Sequence, residues 1–164
     1  MTNRASRPEA WFEKAEHDLL VIRKSMVGDD VPWDMVVFHA QQAAEKYFKG
    51  FLVSRAIDPP RIHELASLLS LCCEHYQDLA ALTDDCEILS HLGWTSRYPD
   101  SPTEPDEADA RRAVDIAMQF GQKYVVPGTI QGPSGRVARL VVVWIVLNGE
   151  DFPRFVTAYP GAKS

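Results

Sequence analysis

A row of amide, carboxylate and ammonium side chains runs through residues 36–50, which read VVFHAQQAAEKYFKG. Carboxylates and amides bind hydrogen-bonding ligands, and lysines offer cations to a phosphate. At 100° per residue, the polar side chains fall on one side of a helix, opposite a broad apolar face. The polar side consists of His39, Gln42, Glu45, Lys46 and Lys49. The stretch therefore predicts a helix whose polar side is either solvated or in contact with a ligand or partner.

Two residues break the division between the faces of this helix. Gln41 falls in the middle of the apolar face, where an amide without partners would cost about 1–3 kcal/mol. We expect a neighbouring helix or a ligand to bond it. Phe38 falls among the polar residues, which suggests that something covers it. Ala40 and Ala43 would permit another helix to approach closely, so Phe38, Ala40 and Ala43 are the predicted dimer interface.

Composition and charge narrow the class of protein. The 164 residues are 46% hydrophobic and 24% charged, which is typical of a soluble globular chain. A net charge of −6 argues against bulk electrostatic binding to nucleic acid or to anionic membranes. The first twenty residues lack the apolar run of a signal peptide, and the longest apolar run, 140–147, is too short to cross a bilayer. We expect a cytoplasmic protein without a membrane partner.

Few residues could hold a metal or a cofactor. Cys72, Cys73 and Cys86 do not form a disulfide framework, and Cys72 and Cys73 with His75 lack a second pair of metal ligands. Glycine-rich phosphate loops, a serine nucleophile elbow and an HExxH helix are missing. The sequence predicts three reduced thiols, no metal and no cofactor.

The elements that must position the polar residues change in character near Val126. Before it, apolar residues recur at helical spacing; after it, glycine, proline and β-branched residues dominate. We predict a first helix capped by Ser6 and ended by Gly28, and a last helix capped by Thr103. The intermediate helices are predicted at 32–56, 64–76 and 78–92.

The remainder predicts strands. Turn residues at 132–135 and Asn148-Gly149 separate β-branched runs, so we place strands near 124–131, 137–147 and 153–159. The predicted fold is mainly α: an up-and-down helical bundle of four to five helices with a short C-terminal β-meander. The predicted domains are the bundle, 1–126, and the β tail, 127–164.

Four stretches together resemble the HEPN domain (higher eukaryotes and prokaryotes nucleotide-binding). They are AEHDLL, FHAQQAAEKYFKGFLV, PPRIHELASLL and SRYPD…EADARRAVDIA, in the family's order over residues 11–120. The resemblance implies a helical bundle that commonly dimerises. It also implies association with minimal nucleotidyltransferases in toxin–antitoxin or related prokaryotic systems. Members are nucleotide-binding or, in one branch, metal-independent ribonucleases.

The ribonuclease branch carries an Arg, four to six intervening residues and a His. No His of this chain fits that spacing: His63 follows Arg55 with seven residues between them and Arg61 with one. The sequence therefore predicts a HEPN module that is not catalytic by itself. A divergent ribonuclease using Arg55 and His63 is the alternative, and a purely structural or immunity role based on oligomerisation is a third possibility.

The resemblance also implies which residues bind. It assigns ligand or partner binding to the family's polar positions on the second helix, to the His before the third helix and to the RYP that follows the fourth. In this chain these are Gln41, Gln42, Glu45, Lys46, Lys49, His63, Arg97 and Tyr98. The lysines and Arg97 would meet a phosphate and Tyr98 would stack. The structural alternatives are that His63 caps the third helix and that Arg97 pairs with Asp100.

The tail resembles the end of an uncharacterised β-rich domain found near prokaryotic toxins, whose members resemble small ribonuclease folds. The stretch is GPSGR…VVVWIVLNGEDFPRFVTAYPG. Arg154, Thr157 and Tyr159 are the residues that could retain phosphate chemistry. Ordinary cross-strand pairing is the alternative.

Overall fold

The structure is a computed structural model that describes residues 7–96, 103–121, 123–131, 135–145 and 154–160. The chain divides into two compact units, Met1–Gly121 and Gln122–Ser164. The division lies slightly before the predicted one, because the first strand already begins at Lys123.

Five α-helices form the first unit within the described residues. They are α1 (Pro8–Ser25), α2 (Trp33–Ser54), α3 (Leu65–Cys73), α4 (Thr83–Thr95) and α5 (Glu107–Gly121), with a 3₁₀ helix, Gln77–Leu82, between α3 and α4. The mainly α bundle is confirmed. α2 contacts all four other helices, so it is the central element of the bundle.

The core forms where the apolar stripes of the helices meet. Leu19 and Ile22 of α1 are buried, as the helical spacing predicts, together with apolar residues from each of the other helices. The rings of Phe48 and Phe120 meet edge to face, 5.1 Å between centroids, and join α2 to α5. Gly50 lets α1 approach α2 closely, since a Cβ there would lie 2.5 Å from Cε1 of Phe12.

Several helix boundaries differ from the predicted ones. α1 begins at Pro8 with Arg7 in the N-cap position instead of Ser6. α5 begins at Glu107: its Asp109 N–H donates to Asp106 Oδ1 at 2.9 Å, so Asp106 acts as the cap instead of Thr103. Aspartate and threonine are both good caps, and the local pattern did not rank them.

The region between α3 and α4 also differs. α3 ends at Cys73, and α4 starts at Thr83 rather than near residue 78. The 3₁₀ helix between them has three residues per turn, which places Leu79 and Leu82 on one buried side. His63 is not the cap of α3, because Glu64 occupies that position and provides no side-chain capping bond among the described residues.

α2 ends in a left-handed residue. Ala56 has φ 61°, its N–H donates to Val53 O at 3.0 Å, and the N–H of Ile57 donates to Leu52 O at 3.0 Å. These two bonds form a Schellman motif, in which glycine is the usual residue at the left-handed position. Alanine there carries the steric penalty that glycine avoids.

The second unit is a three-stranded antiparallel sheet in the order β1-β2-β3. β1 is Lys123–Gln131, β2 is Val137–Ile145 and β3 is Arg154–Pro160, which confirms the predicted meander. The pairing of β2 with β3 is irregular between Val143 and Trp144. Arg154, Thr157 and Tyr159 all lie on β3, at register positions opposite Ile145, Val143 and Val141. None of the helices in the described part of the chain is long and apolar enough to span a bilayer.

Candidate functional site

A buried ion pair lies at the centre of the polar side of α2. Lys49 Nζ donates to Glu45 Oε1 at 2.8 Å, and their side chains are only 6% and 5% exposed. The Nδ1 of His63, in the segment before α3, lies 3.0 Å and 3.1 Å from the two carboxylate oxygens of Glu45. We call Glu45, Lys49 and His63 the inner cluster.

The burial of Glu45 and Lys49 differs from the solvated alternative that the sequence left open for this side of α2. Since α2 is the central helix, α1 and the segment before α3 cover the side that the helical wheel assigned to solvent. Trp11 of α1 contributes to this cover, because Lys49 Nζ lies 5.7 Å from the centroid of its ring, within the range of a cation–π contact. The electrostatic partners of Lys49, the Glu45 carboxylate and the Trp11 ring, therefore both belong to the chain itself.

His63 is held at one nitrogen and open elsewhere. Its side chain is 67% exposed although its Nδ1 contacts Glu45. An ionised carboxylate only accepts hydrogen bonds, so Nδ1 carries the proton and Nε2 remains for another partner. Gln41 fixes the same residue through its backbone: Gln41 Nε2 donates to His63 O at 3.0 Å. The buried amide thus has an internal partner, although the partner belongs to a connecting segment instead of a helix.

A second group of charges links α1 to α2. Asp18 Oδ1 lies 2.9 Å from Nδ1 of His39, and its Oδ2 accepts a hydrogen bond from Lys46. The side chains of Lys46 and Asp18 are 21% and 11% exposed, so water reaches this group more easily. We call Asp18, His39 and Lys46 the outer cluster.

Asp18 was not among the predicted site residues. It falls on the buried stripe of α1, three residues after Ala15 and four before Ile22, both buried. A carboxylate in such a position needs a cation opposite it, since charged groups are rarely buried without a partner. That conflict between residue type and position is the signal by which the sequence could have identified it.

Gln42 joins the two clusters. Its Nε2 donates to Gln41 Oε1 at 3.0 Å and to Glu45 Oε2 at 3.3 Å, and its Oε1 accepts from Lys46 at 3.5 Å. A continuous chain of polar contacts therefore runs from His39 to His63. We call the whole set the polar seam: Asp18, His39, Gln41, Gln42, Glu45, Lys46, Lys49 and His63.

The charges of the polar seam balance within the chain. Two carboxylates, Asp18 and Glu45, face two ammonium groups, Lys46 and Lys49. A phosphate that bound either lysine would leave a largely buried carboxylate without its cation, which is costly. In this conformation the two lysines are therefore poor phosphate ligands, and what the seam does is fix α1, α2 and the segment before α3 against one another.

The three residues of the predicted dimer interface are not equally accessible. Ala40 and Ala43 are fully buried among the chain's own helices, so another subunit would not meet them in this conformation. The wheel places Ala40 on the apolar face, but it cannot show that the chain's own helices also cover Ala43. Phe38 is half-buried, and its ring lies edge-on to His39 with 5.3 Å between centroids.

A groove of about 200 Å³ lies between α2, α4 and the start of α3. We call it the α2–α4 groove; its described lining residues are Gln41, His63, Glu64, Ser90 and Trp94. Trp94 is 56% exposed. Ser90 Oγ is buried and has no hydrogen-bond partner among the described residues. A Cβ at Gly93 would lie 3.0 Å from Cγ of Gln41, so this glycine lets α4 pack closely on α2.

Other predicted residues lie elsewhere. Arg97 and Tyr98 are outside the described residues. The structure brings no metal-binding group of three or more His, Cys, Asp or Glu side chains together in the part of the chain that it describes. Burial raises the pKa of the Cys86 thiol to about 12 and also raises the pKa of Cys72, whose Sγ lies 3.7 Å from Phe48 O. Both thiols therefore remain protonated and behave as small apolar residues.

Four helices around a central charged helix, α2, define the class of the first unit as an all-helical bundle. The HEPN domain family matches residues 8–125. Because this match covers most of the sequence, the chain belongs to the HEPN family. The crystal structure of ST0689, an archaeal HEPN homologue, is similar, with 29% identity and a TM-score of 0.55, and the similarity covers 70% of this chain and 91% of that one.

The C-terminal region has a separate likeness. A domain of unknown function, DUF6883, matches residues 106–162, a range that contains all three strands. The predicted resemblance of the tail to an uncharacterised domain is thereby confirmed. No curated protein matches the chain in sequence.

Proposed function

We propose that this chain is a HEPN-type binding module that is not catalytic by itself. It acts in the cytoplasm as a homodimer and associates with a minimal nucleotidyltransferase in a prokaryotic, toxin–antitoxin-like system, with a nucleotide as a further ligand. The observation that supports the proposal is membership of the HEPN family without the Arg-x4-6-His spacing of the ribonuclease branch.

The contacts within the polar seam support a non-catalytic role for this chain. A catalytic lysine or acid needs an atom that can reach the substrate to donate or accept a proton. Lys49 and Glu45 instead bind each other below the surface. Buried charged networks of this kind are suited to fixing one arrangement of helices. A rigid bundle presents a constant surface, which is what recognition of a folded partner requires.

Co-expression with a minimal nucleotidyltransferase, followed by size-exclusion chromatography with light scattering, tests the proposal. We expect a stable complex containing two copies of this chain. Phe38→Ala should weaken the dimer, while Val27→Ala, at a 78% exposed position in the turn after α1, serves as the matched control. A chain that stays monomeric at micromolar concentration, and that binds neither the transferase nor a nucleotide, would overturn the proposal.

One observation favours a second function, RNA cleavage by a divergent pair. Glu45 holds Nδ1 of His63 and leaves Nε2 of a largely exposed ring available, which is how a general base is oriented. Arg55, at the C-cap of α2, would then supply the cation. Purified wild type, His63→Ala and Arg55→Ala are incubated with mixed RNA. Cleavage by the wild type alone would establish the enzyme, and equal degradation by all three would indicate a contaminating nuclease.

A further inference from the structure

We infer that the α2–α4 groove binds a single nucleobase, with a preference for guanine, and makes no use of the phosphates. This inference rests on the nucleotide-binding part of the proposed function and adds the site and the portion of the ligand that is recognised. The juxtaposition that supports it is an exposed indole, Trp94, beside an exposed carboxylate, Glu64, around one concavity. The hydroxyl of Ser90 faces the same concavity and has no hydrogen-bond partner among the described residues.

The size of the groove selects the ligand. Pockets that enclose drug-sized molecules measure about 300–1,000 Å³. At about 200 Å³ the α2–α4 groove has room for one flat ring system and leaves the sugar and phosphates of a nucleotide outside. A planar base is the part of a nucleotide that fits such a space.

Trp94 supplies the stacking surface. Trp94 is more than half exposed, whereas Leu89 and Leu92 of the same helix are buried. Base–aromatic stacking is sequence-tolerant because every base has a π-face. Trp94 therefore explains why a base binds, and the polar groups must explain which base binds.

Glu64 supplies the selectivity. The hydroxyl of Ser67 donates to Glu64 Oε2, which orients the carboxylate and leaves its other oxygen available. A carboxylate only accepts hydrogen bonds, so it prefers a ligand edge with adjacent donors. Guanine offers N1–H and the N2 amino group side by side, whereas adenine and cytosine place an acceptor next to their amino group. Rotation of the Ser90 side chain would let its hydroxyl bond the opposite edge of the ring.

The charges around the groove explain the indifference to phosphate. None of its described lining residues is a lysine or arginine, and Glu64 is negative. Lys49 of the inner cluster is already paired with Glu45, which also contacts the groove residue His63. A phosphate would gain no charge-assisted bond from these residues, so it should remain in solvent.

Equilibrium dialysis and calorimetry with guanosine, GMP, GTP and adenosine test the inference. We expect the three guanine compounds to bind within about threefold of one another and adenosine to bind about tenfold more weakly. Trp94→Ala should lose about tenfold or more in affinity for guanosine, whereas Trp94→Phe retains most of it. Trp33→Ala is the matched tryptophan control, and Glu64→Gln should abolish the difference between guanosine and adenosine.

Two results would overturn the inference. One is GTP binding more than about tenfold more tightly than guanosine, because phosphates would then dominate. The other is a Trp94→Ala variant with unchanged affinity. Either of these with an intact transferase complex would refute the groove assignment alone, whereas loss of both nucleotide and partner binding would refute the proposed function too.

The guanine could belong to a free nucleotide or to an unpaired position in RNA, since the recognised edge is the same. Fluorescence anisotropy with a short single-stranded oligouridylate containing one guanine separates these sources. Affinity more than about tenfold above that of GMP would identify RNA as the source, and equal affinity would identify the free nucleotide. If the chain bound neither GMP nor the oligonucleotide, the inference would be contradicted.

Discussion

The inner and outer clusters of the polar seam use the same chemistry at different depths. Each has one carboxylate that contacts one lysine and one histidine, and each contains residues of α2. In the inner cluster both members of the lysine pair are about one-twentieth exposed, whereas in the outer cluster Lys46 is 21% exposed. The desolvation of the charges therefore differs far more than their geometry does.

This difference decides what each pair contributes. A fully buried charge depends entirely on its partner, because no water can replace that partner. A partly exposed charge that loses its partner is solvated again, so the loss is smaller and depends on salt. The inner cluster should therefore control stability, and the outer cluster should adjust it.

The strongest way to break the comparison is to remove the inner carboxylate. Glu45→Gln leaves Lys49 buried without a counter-charge, and we expect the free energy of unfolding to fall by about 3–5 kcal/mol. Urea denaturation followed by circular dichroism measures it. The double variant Glu45→Met/Lys49→Met removes both charges and should lie within about 1 kcal/mol of the wild type. A loss below about 1 kcal/mol for Glu45→Gln would show that water reaches Lys49 after all.

The same change in the outer cluster should have a smaller effect. Asp18→Asn is expected to cost about 1–2 kcal/mol, because Lys46 keeps Gln42 as a partner and has access to water. The difference from the wild type should shrink in about 1 M salt, where the Debye length is only about 3 Å. The Glu45→Gln difference should persist under those conditions. Equal salt sensitivity of the two variants would mean that the depth of the clusters does not matter.

Tyr47 tests the side of α2 that faces α1. Its hydroxyl donates to Glu16 Oε1 at 2.6 Å, and burial, followed by the hydrogen bond and charge of Glu16, raises the pKa of Tyr47. Tyr47→Phe should cost about 1 kcal/mol near neutral pH. Since the folded chain holds this proton more tightly than the unfolded chain, the contribution is complete below about pH 10 and is lost as the pH rises further.

Denaturation of both proteins between neutral and alkaline pH measures this effect. The stability gap between wild type and Tyr47→Phe should be constant up to about pH 10 and should narrow above it. Glu16→Gln is the control, because it keeps an oxygen that can accept the Tyr47 hydrogen bond but removes the negative charge. A gap that widens with alkaline pH would contradict the assigned cause of the shift.

The smallest effect is expected at the end of α2, outside both clusters. Ala56→Gly should raise the free energy of unfolding by about 0.5–1 kcal/mol, because glycine adopts the left-handed φ of 61° without steric cost. Thermal denaturation detects the change. Ala66→Gly, an exposed position within α3, should have the opposite sign, because glycine lowers helix stability there. A loss at both positions would mean that the C-terminal motif of α2 is not strained.

Much of the fold could be predicted from local pattern. The five helices and three strands follow from apolar periodicity and turn residues, and the strand positions agree within two residues at every end. Helix ends were less certain where two capping residues compete, as at Thr103 and Asp106. The 3₁₀ segment before α4 was missed because an apolar spacing of three is compatible with both helix types.

The site was predicted as a set of residues but not as a geometry. The resemblance assigned Gln41, Gln42, Glu45 and His63 to ligand or partner binding, and the structure shows that these residues contact one another. The burial of Glu45 was not predictable, since a helical wheel compares the faces of one helix and contains no information about how many neighbours surround it. Asp18 and Trp94 were identified as site residues only from the structure, because the residues near them in space are distant in the sequence.

Residue types and spacing determined that this chain forms amphipathic helices followed by a β-meander, because secondary structure depends on side-chain periods of a few residues. They also determined that the ribonuclease spacing is missing. Only the tertiary structure decided that the charged side of α2 faces inward, that its lysines are neutralised and that a groove opens beside Trp94. Those outcomes depend on which helices surround α2, and contacts between residues far apart in the chain are not encoded in any local pattern.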